Sequence, residues 1–83
     1  MDGTEFFVGI DVSKAVLDVH LLPGDRSARF GNDPTGWAAL GGWLSPFRVE
    51  RVVMEATGGY ERRAARALLG QGLHVCVVNP RRV

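Results

Sequence analysis

Glu5 to Asp11 is an almost unbroken apolar run, Phe6-Phe7-Val8-Gly9-Ile10, closed by an acid. A run that is apolar at odd and even positions alike predicts a strand interior to a sheet, mostly buried on both faces. The segment VSKA is a short turn. From Val16 to Leu22 the chain alternates, with Leu17, Val19 and Leu21 on one side and Asp18 and His20 on the other, which predicts a half-buried antiparallel strand. PGDR, residues 23 to 26, carries Pro, Gly and Asp together and predicts a hairpin turn into a third short strand, Ser27 to Phe30. The period then changes. In NDPTGWAALGGWL, Asp33 is an N-cap with Pro34 at the first helical position, and Trp37, Leu40, Gly41 and Leu44 recur at i, i+3, i+4 and i+7. Ser45, Pro46 and Phe47 end that helix. Arg51 to Glu55 reads as a buried strand, Ala56 to Gly59 as a glycine-bearing turn, and Tyr60 to Leu69 as a helix with Ala64, Ala67 and Leu68 inward. Gly70 and Gly72 stop it, Leu73 to Val78 forms a last strand, and Asn79-Pro80 forces a turn.

The order is therefore βββαβαβ, an α/β fold. Short turns make the first three strands an antiparallel meander. Strand and helix alternate in the second half, which requires parallel pairing through right-handed crossovers. The simplest mixed sheet has the fourth strand beside the first, the fifth outside the fourth, and the spatial order 3-2-1-4-5.

Composition adds limits. Eighty-three residues make one small domain or a piece of a larger one, with about 60–65% of the unfolded surface buried. Hydrophobic residues at 46% and charged residues at 23% indicate neither disorder nor a membrane protein. No apolar stretch approaches the roughly 20 residues of a bilayer span, and MDGTEFF lacks the layout of a signal peptide, so a cytoplasmic protein is expected. The single cysteine, Cys76, reads as a small apolar core residue. The net charge of +1 neither requires nor excludes nucleic acid, although Arg62, Arg63 and Arg66 share one predicted helix and Arg81 and Arg82 follow near the end. Trp37 and Trp43 lie on a helical stripe and read as core anchors. His20 reads as an outward strand residue and His74 as a strand start.

The topology gives the acids a meaning. The first and fourth strands run parallel about 4.8 Å apart, and each ends in a carboxylate, Asp11 and Glu55. Functional groups of open α/β sheets gather beyond the carboxyl ends of the strands. Two acids this close do not both ionise cheaply, and a divalent cation such as Mg²⁺ meets both. The structural alternatives are that Asp11 caps the amides of Ser13 or Lys14 and that Glu55 pairs with Lys14 or an arginine. Lys14, Tyr60, Arg62 and Arg63 are candidate nucleic-acid contacts, with Tyr60 open to two roles, stacking on a sugar or base or packing within the fold. Ser13 has no base near it in sequence, and turn chemistry explains it better than nucleophilic catalysis.

Three stretches in order, GIDVSK, MEATGGYE and VVNPRRV, together with the βββαβαβ order, resemble the N-terminal domain of the DEDD-type bacterial transposases of the IS110 insertion-sequence family, whose domain is likened to the resolvase RuvC and has a ribonuclease-H-like fold. The resemblance covers nearly the whole chain. It implies that Asp11 and Glu55 are the first two acids of the DEDD set, catalytic and metal-binding, with two further aspartates expected downstream of Asn79-Pro80. It also implies a C-terminal domain with a nucleophilic serine, absent from these residues, and associated with DNA recognition and a guide RNA. The whole protein is then expected to be a bacterial, cytoplasmic enzyme that cuts and rejoins DNA with Mg²⁺, and the 83-residue chain an N-terminal fragment inactive by itself.

Two other readings remain open at this point. An actin-like or sugar-kinase-like ATP-binding lobe also begins with a Gly-Ile-Asp strand, but its phosphate loop needs a glycine just past the Asp, and here Val12, Ser13 and Lys14 follow. A non-catalytic module that forms a homodimer through an uncovered sheet edge is the other.

Overall fold

The computed structural model describes residues 3–79. It contains β1 (Phe6–Val12), β2 (Val16–Leu22), β3 (Arg26–Gly31), α1 (Pro34–Leu44), β4 (Val49–Glu55), α2 (Glu61–Gly70) and β5 (Val75–Val78). The five strands form one sheet in the order β3-β2-β1-β4-β5, as expected. The β1–β2 and β2–β3 pairs are antiparallel, and the β1–β4 and β4–β5 pairs are parallel. The turn at Asn79-Pro80 and the arginines 81 and 82 lie partly or wholly outside the described residues.

Alternate residues of each strand face opposite sides. On one side Val8, Ile10 and Val12 meet Leu21, Val19 and Leu17 across β2, and Val8 and Ile10 meet Val52 and Met54 across β4. All are buried, and they form a single cluster with Trp37, Leu40 and Leu44 of α1 and Ala64, Ala65 and Leu68 of α2. Both helices therefore cover the same face. On the other side Phe7 is 48% exposed and its cross-strand partner Leu22 is 49% exposed. Here the structure corrects the sequence reading: β1 is central in the sheet but buried on one face only. An apolar run reports strand position, whereas cover on the second face depends on elements supplied from elsewhere. Cys76 is likewise half-buried beside Val53 on the open face, not in the core, because β5 is an edge strand with no helix on that side.

Local chemistry sets the helix ends. Asp33 is extended, and its carboxylate accepts from the Gly36 amide at 2.7 Å, with Pro34 opening α1. Gly36 lets that first turn press onto β3, since a Cβ there would collide with the Gly31 backbone. At the far end of α1, Phe30, Trp43, Phe47 and Phe6 form a chain of ring contacts with centroids 5.1–6.3 Å apart. α2 begins one residue later than expected, at Glu61, with Tyr60 as its N-cap. β3 and β4 extend further than expected, and β5 begins later.

Candidate active site

Asp11 lies inside β1, one residue short of its end, and points to the open face. Its side chain is 77% exposed. Although the run that leads to it is apolar, the Asp11 carboxylate itself stands in water. The β1–β4 register runs Gly9 to Val53 and Ile10 to Met54. One further step of that register would set Asp11 beside Glu55, which is exposed on the same face. The two acids thus stand near the ends of adjacent parallel strands, in water and not in a low-dielectric pocket.

Neither structural alternative for these acids is observed among the described residues. The turn after β1 closes without Asp11: the Ser13 amide and hydroxyl both donate to the Val16 carbonyl at 3.0 Å. Ser13 is thereby engaged as a turn residue, as its sequence context indicated. The ion pairs among the described residues are His20–Asp11 and Arg29–Asp18, so Glu55 pairs with neither Lys14 nor any arginine among them.

Asp11 has neighbours that the sequence did not reveal. Cross-strand pairing puts Asp18 directly opposite it and His20 opposite Gly9. Glycine leaves His20 room to lean toward Asp11, and its Nε2 stands 3.6 Å from Asp11 Oδ2. His20 does face outward, as expected, but it has a carboxylate partner. Asp18 is a like charge facing Asp11, and Arg29 answers it: Nε donates to Oδ1 at 2.7 Å and Nη2 to Oδ2 at 3.4 Å. The Asp18 carboxylate, through its hydrogen bond and then its charge, raises the Arg29 pKa further above its ordinary value. A shallow groove of about 450 Å³ runs along these residues, lined by Asp11, Asp18, His20, Ser27 and Arg29.

The loop after β4 is held by an acid that the sequence reading placed in no role. Glu61 is 6% exposed, and its Oε1 accepts from the Thr57 amide at 2.8 Å, the Gly59 amide at 3.1 Å and the Thr57 hydroxyl at 3.4 Å. The Thr57 amide foremost, with the other donors, lowers the Glu61 pKa against the opposing effect of burial. Gly58 and Gly59 take φ of 70° and 104°, a left-handed path that a side chain would strain. Glu61 thereby clamps the loop that joins Glu55 to Tyr60.

The four candidate nucleic-acid contacts separate. Lys14, Tyr60 and Arg63 line one hollow with Asn32, Trp37 and Gly59, whereas Arg62 lies outside it. Asn32 ties the hollow together. Its Nδ2 donates to the carbonyls of Ser13 at 2.9 Å and Tyr60 at 3.0 Å, and its Oδ1 accepts from Trp37 Nε1 at 2.9 Å. Asn32 carried no motif signal: its partners are 19 residues before it and 5 and 28 residues after it.

Asp11 and Glu55 offer hard oxygen donors on one exposed face, which fits a divalent cation that keeps part of its water shell. No group of three or more His, Cys, Asp or Glu side chains is arranged to hold a metal ion among the described residues. No helix among them is long and apolar enough to cross a membrane.

Comparison with known proteins adds the following. Residues 8–83 match the family model of the IS110 DEDD transposases, described as a transposase. No curated protein matches the chain in sequence. Among solved structures, T. thermophilus RuvC, in complex with Holliday junction substrate, is similar with a TM-score of 0.68 and 16% identity, over 93% of this chain and 66% of that one. The Thermoplasma acidophilum Pelota protein is similar with a TM-score of 0.65 and 12% identity, over 94% of this chain and 28% of that one. At these identities the likeness is one of fold, and the chain spans 66% and 28% of those two proteins.

Proposed function

Because the chain belongs to the DEDD transposase family, with a RuvC-like fold, we propose that it forms the first part of a catalytic domain that cuts and rejoins DNA, and that Asp11 and Glu55 are two ligands of its Mg²⁺ site. The observation that supports this reading is that both acids are exposed near the carboxyl ends of the adjacent parallel strands β1 and β4. Bound there, a divalent ion would supply electrostatic stabilisation to the attacking and leaving oxygens of a phosphodiester. The chain's own residues prepare the place. The two carboxylates hold the ion, Arg29 neutralises Asp18 so that Asp11 does not face an unpaired like charge, and the Glu61 clamp fixes the loop leaving Glu55.

Two-ion sites of this chemistry take more oxygen donors than two carboxylates provide. The site is completed by carboxylates outside the described residues, and the 83-residue chain alone binds metal weakly and transfers no strands. DNA is the substrate of the whole protein. A guide RNA is a partner implied by the family resemblance alone.

Calorimetric titration of the chain with Mn²⁺ and Mg²⁺ tests this. Weak binding is expected, lost in Asp11→Asn and reduced in Glu55→Gln. Binding unaffected by either substitution would remove both residues from the site. Metal-dependent DNA cleavage by the chain itself that vanishes in Asp11→Asn would overturn the half-site claim.

One observation favours a second reading. Phe7, Leu22, Val53 and Val78 are exposed together on the open face, and such apolar surface invites cover by a second copy. Light scattering distinguishes the two: a homodimer that binds no metal would favour the non-catalytic module.

A further inference from the structure

The hollow lined by Lys14, Asn32, Trp37, Gly59, Tyr60 and Arg63 has an assembly distinct from the carboxylate face. Its walls come from the β1–β2 turn, the segment after β3, α1 and the lead-in to α2. Asn32 bonds to three of them, so its shape is fixed by the fold and not by loose surface chains. The Arg63 guanidinium stands over the Trp37 ring with its carbon 5.5 Å from the centroid, a contact that orients the cation without neutralising it.

Charge marks this hollow off from the groove beside Asp11. No acidic side chain lines it. Among the described residues the arginine of the groove, Arg29, is tied to Asp18, while Lys14 and Arg63 have no carboxylate within ion-pair distance. Two uncompensated cations beside a tyrosine make a place for an anion. Its size narrows the choice. About 150 Å³ is well below the ~300–1,000 Å³ of a pocket that encloses a whole small ligand. It suits one anionic group of a polymer that continues past the site. Three residues of chain separate Lys14 from Asp11, at most about 11 Å even if fully extended, so one strand of nucleic acid reaches both.

We propose that this hollow seats a backbone phosphate of the DNA strand presented to Asp11 and Glu55, with Lys14 and Arg63 supplying the charge, Tyr60 lining the seat, and Asn32 acting as the positioning residue. The assignment rests on the DNA-processing reading above, yet its chemistry needs no metal, and this separates the two tests.

The experiment is fluorescence anisotropy of a short labelled single-stranded DNA with the 83-residue chain in EDTA, repeated across a salt series. Lys14→Ala with Arg63→Ala is expected to weaken binding roughly tenfold or more and to lower the slope of log K against log salt by about one. Lys14→Arg with Arg63→Lys is expected to restore most of it. Arg48→Ala removes one unit of charge at the opposite end of the strands, where the Arg48 carbonyl accepts from the start of β1, and is expected to change little. Circular dichroism confirms that each variant is folded. The anisotropy series in EDTA holds no divalent ion, so its outcome is read independently of the metal titration above. Equal losses per charge removed in Arg48→Ala and the Lys14/Arg63 pair would reduce the effect to bulk charge and overturn the proposal. So would inorganic phosphate or ATP binding more tightly than the oligonucleotide.

Discussion

The two faces of the sheet are built from the same strands and do opposite things. Val8, Ile10 and Val12 point to the helices and are buried, while Phe7, Gly9 and Asp11, their immediate neighbours in the chain, point to the open side. β4 repeats the division, with Val52 and Met54 inward and Val53 and Glu55 outward. The covered face is held by area removed from water, and the open face by almost nothing of its own. Asp11 and Glu55 therefore stand on a rigid support without taking part in what makes it rigid, and stability and chemistry are separable by substitution.

The largest effect is expected where the covered face is cut. Leu17 is fully buried, and Leu17→Ala is expected to cost about 2–5 kcal/mol in urea unfolding. Phe7→Ala removes a larger side chain from the open face and is expected to cost far less. Comparable losses for the two would mean that the open face is covered in solution. Next is Gly36→Ala, whose Cβ meets the Gly31 backbone and not a movable side chain, so the start of α1 has to shift off β3. About 1–3 kcal/mol is expected, read from the same unfolding curves.

Asp33→Ala removes the cap of α1, an effect of about 1 kcal/mol, which Asp33→Asn largely preserves. The smallest effect belongs to Glu61 and shows in its pH dependence. Its folded pKa lies below the ordinary value of 4.5, so its contribution is fully present above that value and is lost as pH falls through the folded pKa. Thermal unfolding of Glu61→Gln is expected to lie below wild type at neutral pH and to approach it in acid. A constant difference at all pH values would assign the loss to packing and not to the carboxylate.

The same division explains what was legible in the sequence. Alternation in Val16–Leu22, the change of period at Asp33-Pro34 and the short turns suffice for the element order and the sheet order, because these are local signals joined by few allowed connections. The expectation that Asp11 and Glu55 stand side by side follows from that topology. The uncovered side was not legible: Phe7 and Val8 are equally apolar, and nothing local tells which of them is sealed. Nor were His20 beside Asp11, Arg29 on Asp18 or Asn32 across three walls, since cross-strand register and long-range contacts decide them. Glu61 was hidden differently. An acid in the first turn of a helix is ordinary, and only the left-handed path of Gly58 and Gly59 brings the Thr57 and Gly59 amides onto its carboxylate.

The central claim is that Asp11 and Glu55 hold one divalent ion between them on the open face. Paramagnetic broadening by Mn²⁺ in amide NMR spectra of the chain tests it most directly. Broadening is expected to centre on the ends of β1 and β4, around Asp11 and Glu55, and to be abolished in Asp11→Asn while the spectrum otherwise keeps its native dispersion. Broadening centred elsewhere, or surviving that substitution unchanged, would contradict it.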